Sequence, residues 1–361
     1  MKLSIAALLV LVSPVFLPDL SMADEEESWA DRITLKGDIR LRYEAIDEQG
    51  QENRNRARFR TRFGLTAQAT SDVKVILQLA SGGDDPVSTN QSFDDGFSTK
   101  DIGIDLAYVD WAAADGLNVY GGKMKNPLFR AGGAPLIWDG DLNPEGVAAK
   151  YSRGILFGSL GLFTAEERSS SDDSLLSALQ AGVKTEFGRD VTLTAGVGYF
   201  AYSDTIGNSP FYNGSANGNS VDTNGDYIHD YKNTEIFAQL DTALRDWKLQ
   251  VFAHATRNNE VSEQDTAYAF GALIGGDKGR GRLELSWTYQ DIEADAIIGT
   301  FSDSDFGGGG TDSSGHILKG SYALSKSVGL AATYFINEID RFQGIEHDYS
   351  RLQLDVEFKF E

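Results

Sequence analysis

Ile33-Thr34-Leu35-Lys36-Gly37-Asp38-Ile39-Arg40-Leu41-Arg42-Tyr43-Glu44 keeps one parity throughout. Odd positions are apolar or glycine, and even positions are polar or charged. Successive side chains of a β-strand point to opposite faces, so this segment carries one oily face and one wet face. Ala57-Arg58-Phe59-Arg60-Thr61-Arg62-Phe63-Gly64-Leu65-Thr66-Ala67-Gln68 repeats the pattern. It returns at 73–81, 102–111, 117–124, 147–151, 156–163, 176–187, 191–201, 234–244, 247–257, 267–276, 282–291, 316–325, 328–338 and 349–360. That makes about sixteen segments, each near the ~10 residues of a tilted membrane strand. Within 102–111 the oily face switches near Tyr108, which predicts a β-bulge there.

The connections alternate between short and long. Residues 70–72, 188–190, 245–246 and 326–327 are tight; 82–100, 204–233 and 292–314 are long and rich in Gly, Asn, Asp and Ser. Aromatic residues gather toward segment ends, at Trp111, Tyr120, Phe187, Tyr199, Trp247, Tyr289, Tyr322, Tyr334, Phe358 and Phe360. An amphipathic ring belongs at the lipid–water boundary. The oily faces are too numerous for one soluble core, and the wet faces too charged for a packed interior. Lipid offers no hydrogen-bond partner, so such a sheet must close and leave no edge. The expected fold is all-β: an antiparallel up-and-down transmembrane β-barrel of about sixteen strands, with both termini at the rim of the tight turns.

Composition narrows the function. With 32 Lys+Arg against 54 Asp+Glu the formal net charge is −22, which excludes nucleic acid as a main partner. The absence of cysteine removes disulfides, thiolate nucleophiles and thiolate metal ligands. Residues 1–23 read as a cleaved signal peptide: Lys2 supplies the basic end, 3–12 the apolar run and Ser21-Met22-Ala23 the cleavage site. Residues 24–361 then form one barrel domain, and no later stretch approaches the ~20 apolar residues of a membrane helix.

The connection between the fifth and sixth segments stands apart. It runs Gly121-Gly122-Lys123-Met124-Lys125-Asn126-Pro127-Leu128-Phe129-Arg130, through 131–137, to Trp138-Asp139-Gly140-Asp141-Leu142-Asn143-Pro144-Glu145-Gly146. A loop exposed only to water has no use for Leu128, Phe129, Leu136, Ile137 and Trp138. We expect this third extracellular loop to fold into the barrel, its apolar side on the wall and Asp139, Asp141 and Glu145 in a water-filled space. By parity the lumen wall carries Arg40 and Arg42 on the first strand and Arg58, Arg60 and Arg62 on the second, as one ladder extended outward by Arg54 and Arg56. Lys123, Lys150, Lys184, Lys248, Arg282, Lys319 and Arg351 are further lumen bases. Acids across a narrow gap from such a ladder set ion preference and orient dipolar solutes; the same ladder also serves as salt-bridge partner for Asp38, Glu44 and the loop acids.

Signatures of catalysis are missing. There is no Gly-x-Ser-x-Gly elbow and no phosphate loop, and His229, His254, His316 and His347 lack metal-ligand spacing. No catalytic residue, cofactor or metal is expected. Residues 222–230 resemble a calcium loop, but Tyr227 stands where the sharp turn wants glycine.

The alternating strands, the inward loop and the Gly-Lys-x-x-x-Pro…Trp-Asp-Gly-Asp-Leu-Asn-Pro-Glu-Gly run resemble the putative porins of Gram-negative outer membranes, themselves similar to the sixteen-stranded general porins. The resemblance implies a constriction at Lys123, Asp139, Asp141 and Glu145, faced by Arg40, Arg42, Arg58, Arg60 and Arg62. It also implies a homotrimer in outer-membrane lipid. Porins of this kind usually end in an aromatic residue, whereas here Glu361 follows Phe360. The function expected is passive diffusion of small hydrophilic solutes and ions. A substrate-selective channel for anionic or phosphate-like solutes and a structural or adhesive barrel are the alternatives.

Overall fold

The computed structural model describes residues 29–188, 190–276, 282–342 and 344–361; the signal peptide at 1–23 lies outside the described residues. A 3-10 turn at Trp29–Arg32 leads into the first strand. The strands are β1 (Ile33–Glu48), β2 (Arg54–Gln68), β3 (Val73–Ser81), β4 (Gln91–Ser92), β5 (Ile102–Ala114), β6 (Leu117–Lys123), β7 (Glu145–Arg153), β8 (Leu156–Glu166) and β9 (Ser174–Phe187). They continue with β10 (Val191–Tyr202), β11 (Lys232–Leu244), β12 (Trp247–Asn258), β13 (Thr266–Gly275), β14 (Leu283–Ile292), β15 (Ser313–Ala323), β16 (Val328–Ile339) and β17 (His347–Phe360). Leaving aside the two-residue β4, each pairs antiparallel with the strands before and after it, β3 with β5 among them, and β1 also pairs with β17 from Gly37↔Phe360 to Glu48↔Tyr349. The sheet is thereby a closed cylinder of sixteen wall strands. The two-residue β4 is an addition: where β3 stops, it continues the pairing of β2 through Arg58↔Ser92 and Phe59↔Gln91.

The sequence parity maps onto the two faces. On β1 the outward Leu35, Ile39, Leu41 and Tyr43 are each more than two-fifths exposed, while the inward Arg42 and Glu44 are 7% and 0% exposed. The distribution is that of a soluble protein turned inside out, as a barrel in lipid requires. Among the described residues no helix is long and apolar enough to cross a membrane.

Two local readings change. The bulge in β5 falls at Asp105, not near Tyr108: Gln78 pairs with Leu106 and Leu79 with Ile104, leaving Asp105 unopposed. Leu106 is apolar but faces inward, buried, which masked the switch three residues earlier. The extra residue turns Asp105 into the lumen, where its carboxylate accepts Gln78 Nε2 at 2.5 Å and Asn143 Nδ2 at 2.6 Å. Tyr120 faces the lumen as well, opposite Asp110 and the buried Ala148, and packs on Tyr108 instead of meeting lipid.

Three long loops fold inward, where the sequence had singled out one. Residues 124–144 run along the inner wall. Ser159 Oγ donates to Pro127 O (3.0 Å), Phe129 N to Gln180 Oε1 (2.7 Å) and Gly132 N to Gln239 Oε1 (2.8 Å). Residues 203–231 and 293–312 close over them. Leu136, Trp138, Phe200, Phe211, Tyr227, Tyr231, Ile297 and Phe306 form one buried apolar cluster inside the cylinder. Trp138 meets Phe200 edge-on at 4.6 Å and donates Nε1 to Tyr202 OH at 3.2 Å. The polar wall strands therefore have a second, apolar core within them, packed against β7 to β14 and reaching Phe335 of β16.

Two measurements check this architecture. Leu41→Arg, on the outward face near the middle of β1, is expected to destabilise the barrel in bilayers by about 2–4 kcal/mol in urea titration, the range for a midplane arginine in lipid. No change would mean that this face does not meet lipid. Gly132 has φ +63°, and a Cβ there would overlap the Phe252 ring. Gly132→Ala is expected to raise amide exchange across residues 128–137 while β11 and β12 stay protected; unchanged exchange would show that the loop is not seated on Phe252.

Candidate functional site in the barrel lumen

Register decides which charges meet on the wall. Arg40 lies opposite Arg60 and Arg42 opposite Arg58 across β1 and β2, and Arg42 lies opposite Asp355 on β17. Stacking arginines on adjacent strands is unfavourable unless acids intervene. They do intervene. Glu44, with no exposed surface, is bonded by Arg56 and has Arg42 and Arg58 at 3.6 Å and Arg351 at 4.0 Å. Asp38 accepts Arg60 at 2.7 Å and Arg62 at 3.0 Å. Arg42 grips Asp355 through Nε at 2.7 Å. A buried charge is stable only when paired and hydrogen-bonded, and this wall satisfies most of its arginines internally.

The predicted loop residues divide into three outcomes. Asp141 reaches the ladder, with Oδ1 3.6 Å from Arg62 Nη1. Glu145 pairs with Lys123 at 2.9 Å, directly across the register of β6 and β7. Asp139 turns away from the wall and is buried instead of standing in water. Its carboxylate accepts the backbone N–H of Asp141 at 2.7 Å and of Ser304 at 2.9 Å, and its own N–H donates to Phe301 O at 2.8 Å. Asp139 thus ties the loop 124–144 to the loop 293–312.

That second loop supplies the acids that the sequence reading missed. Asp305 receives Arg351 at 2.8 Å and Arg42 at 3.1 Å, which clips the loop to β17 and β1. The available signal was Ile297, Ile298, Phe301 and Phe306 around Ser-Asp-Ser-Asp at 302–305, the same apolar-in-a-loop pattern that marked 124–144. Burial raises the Asp139 carboxyl well above the ordinary range, and Asp303 adds to the effect. Asp303 is pushed up to about 7 by burial and by its neighbour Asp305. Burial also works against charge on Asp305, but Arg351 and Arg42 hold it down to about 2. Asn90, from the loop after β3, is a further unforeseen contact: its Oδ1 accepts Arg40 at 2.6 Å and its backbone O accepts Arg58 at 3.2 Å.

Water-accessible space remains beside the β1–β5 and β17 wall. An outer cavity of about 700 Å³ is lined by Arg54, Arg56, Arg58, Asp85, Asp305 and Arg351, among others. A second, of about 450 Å³, lies under the loop 82–101 and touches Asp105, Lys123 and Asp141. On the tight-turn side, Asp38, Arg62, Lys125 and the same Asp141 line about 360 Å³. Asp141 therefore borders space on both sides of the loop.

The remaining motifs carry no comparable arrangement. His254 Nε2 lies 2.7 Å from Glu235 Oε1, and Gln180 joins Glu235 to the backbone of Phe129, so this buried group supports the loop. In 222–230, Asp222 is spent on the N–H groups of Asn224 (2.7 Å) and Asp226 (3.1 Å), and Tyr227 is buried against Phe211 and Tyr231. Among the described residues no group of three or more His, Cys, Asp or Glu converges as a metal site.

A family model described as putative porin matches residues 46–232 and 220–360. No curated protein matches the sequence. Among solved structures, Pseudomonas putida OprB superposes with a TM-score of 0.62 at 12% identity, covering 91% of this chain and 94% of that one. Salmonella typhi OmpF, in complex with daunomycin, gives 0.56 at 11% identity over 91% and 97%. The trimer form of Vibrio cholerae OmpT, an outer membrane protein, gives 0.51 at 12% identity over 91% and 100%. At such identities the superpositions speak for the fold alone; it is the family description that points to a channel rather than an enzyme. With its porin-like outer-membrane barrel and a family match spanning nearly all of its wall strands, the chain belongs to the putative porin family.

Proposed function

We propose that the protein is a passive porin of the Gram-negative outer membrane, delivered there by removal of residues 1–23 and assembled as a homotrimer. Small hydrophilic solutes and ions cross it down their gradients beside the β1–β5 and β17 wall. A sixteen-strand cylinder is wide enough to leave an aqueous path even with loops folded into it. One observation carries the reading: Asp141, 3.6 Å from Arg62, borders the cavities on both faces of the inward loop. Opposite charges across that gap make it the selective element, where short-range fields outweigh the net charge of −22. Arg40, Arg42, Arg58 and Arg60 form the facing wall, and Lys123 and Glu145 flank the gap. Asp139 shapes it by fastening the loop. The trimer is favoured by the likeness to the OmpT trimer form.

Planar-bilayer recording of the refolded barrel tests the channel. Stable ohmic steps in KCl are expected; a silent barrel would favour a structural or adhesive role. Replacing Arg58, Arg60 and Arg62 together by Ala leaves Glu44, Asp38 and Asp141 short of partners. Reversal potential in a KCl gradient should then move toward cations, and an unchanged value would strip the ladder of its role.

Protonation of Asp303 governs the loop contact. The unfolded carboxyl titrates near ~3.9, and the folded one at about 7. Between those values the folded state holds the extra proton, so the contact is strongest below the lower value and weakens as pH rises through the upper one. Asp305 acts oppositely, but its loss of stability falls near pH 2. Amide exchange across 293–312, corrected for intrinsic rates, should be faster at pH 8.5 than at pH 5.5, with a smaller difference in Asp303→Asn, where only the raised carboxyl of Asp139 remains to titrate. A flat wild-type profile contradicts this.

A further inference from the structure

Most arginines of the lumen wall are committed to acids, and one that is not locates a site. Among the described residues Arg40 has no carboxylate within salt-bridge distance; its partner is Asn90 Oδ1 at 2.6 Å. Its Nε is shielded from water and without a hydrogen-bond partner. Arg40 lines a cavity of about 450 Å³ on the tight-turn side of the loop, together with Lys319 and Ser321 of β15 and Gly329 and Ala331 of β16. Lys319 has no carboxylate within salt-bridge distance among the described residues, and no hydrogen bond engages the Ser321 hydroxyl. Gly329 and Ala331 occupy lumen positions where longer side chains would fill the space between the two cations.

The acids lining the same cavity are each in direct contact with another base, although Glu357 lies across the register from Arg40. Glu284 is held by Arg282 at 2.6 Å, Asp355 by Arg42 at 2.7 Å, and Glu357 by Lys359 at 2.8 Å and Arg60 at 3.2 Å. Two positive groups are left facing one small-residue floor. We propose that this inner vestibule holds a binding site for a small dianionic oxyanion, with Arg40 and Lys319 as its two cationic arms and Ser321 as a hydroxyl donor. Two fixed cations match two negative charges, and hydrogen bonds from cationic donors to an oxyanion are the strong ones. The site deepens the channel reading on which it rests: an anion that has passed Asp141 pauses here before release.

Isothermal titration of the detergent-refolded barrel with inorganic phosphate at pH 8 tests the site independently of conduction. Saturable heat is expected, with acetate binding at least about tenfold more weakly. Arg40→Gln and Lys319→Gln should each weaken phosphate by about tenfold or more, the size of one lost charge-assisted hydrogen bond. Lys184→Gln, a lumen lysine of β9 outside this cavity, should leave phosphate binding unchanged. Heat-modifiable gel mobility confirms that each variant is folded, and Lys319→Gln decides the matter if Arg40→Gln fails to fold. A wild-type barrel that conducts but gives no heat overturns the site alone, as does phosphate affinity unmoved by both substitutions. A barrel that binds phosphate but never conducts overturns the channel reading and leaves the site standing.

Discussion

Backbone hydrogen bonding in a medium without water constrains everything else in this molecule. In hydrocarbon an unpaired N–H or C=O has no partner to turn to, so a sheet that spans lipid must close on itself. Closure here is the pairing of β1 with both β2 and β17, the second running from Gly37 opposite Phe360 to Glu48 opposite Tyr349. Once the cylinder is shut, the pleat permits only two environments. Every odd residue of β1 from Leu35 to Tyr43 faces outward, and every even one faces the lumen.

The lumen face then poses a problem that lipid does not. Strands rich in arginine lie side by side, and like charges on adjacent strands repel. The answer is a set of acids interleaved with them: Glu44 among four arginines, Asp38 between Arg60 and Arg62, and Asp355 beside Arg42. Each charge is retained in a partly buried setting because its partner is at hydrogen-bond distance. The wall is consequently much less positive than its arginine count implies. Its unbalanced charge concentrates at the few bases that lack a carboxylate.

The loops solve a different problem. A wide cylinder with a polar inner face would be a featureless pipe, yet three connections carry enough large apolar residues to build a core inside it. Trp138, Phe211 and Tyr227 pack there on the side of the wall that carries Phe200 of β10. This leaves water beside the opposite side, where the arginines are. Polar side chains of the wall anchor the arrangement, Gln180 by bonding both the N–H and the C=O of Phe129. Asp139 joins two of the loops to each other, so the narrow region is made of contacts between loops as well as between loop and wall.

Short-range periodicity carried most of the fold in the bare sequence. Alternation placed the sixteen wall strands to within a few residues at their ends, because one slipped residue would send a whole face into the wrong solvent. The same rule places Arg40, Arg42, Arg58, Arg60 and Arg62 on the lumen parity. It misplaced the β5 bulge because Leu106 is apolar yet inward, so polarity alone did not mark the switch at Asp105. It also put Tyr120 at the lipid boundary, when its partners across the sheet are Asp110 and Ala148. Partners distant in the chain belonged to the tertiary structure alone. That Asp305 rather than Asp139 meets Arg42, that Asp139 accepts the N–H of Ser304, and that Arg40 meets Asn90 follow from how the long loops pack inside a closed ring. Periodicity describes which way a side chain points relative to its own strand; it holds no information about which segment, hundreds of residues away, arrives in front of it.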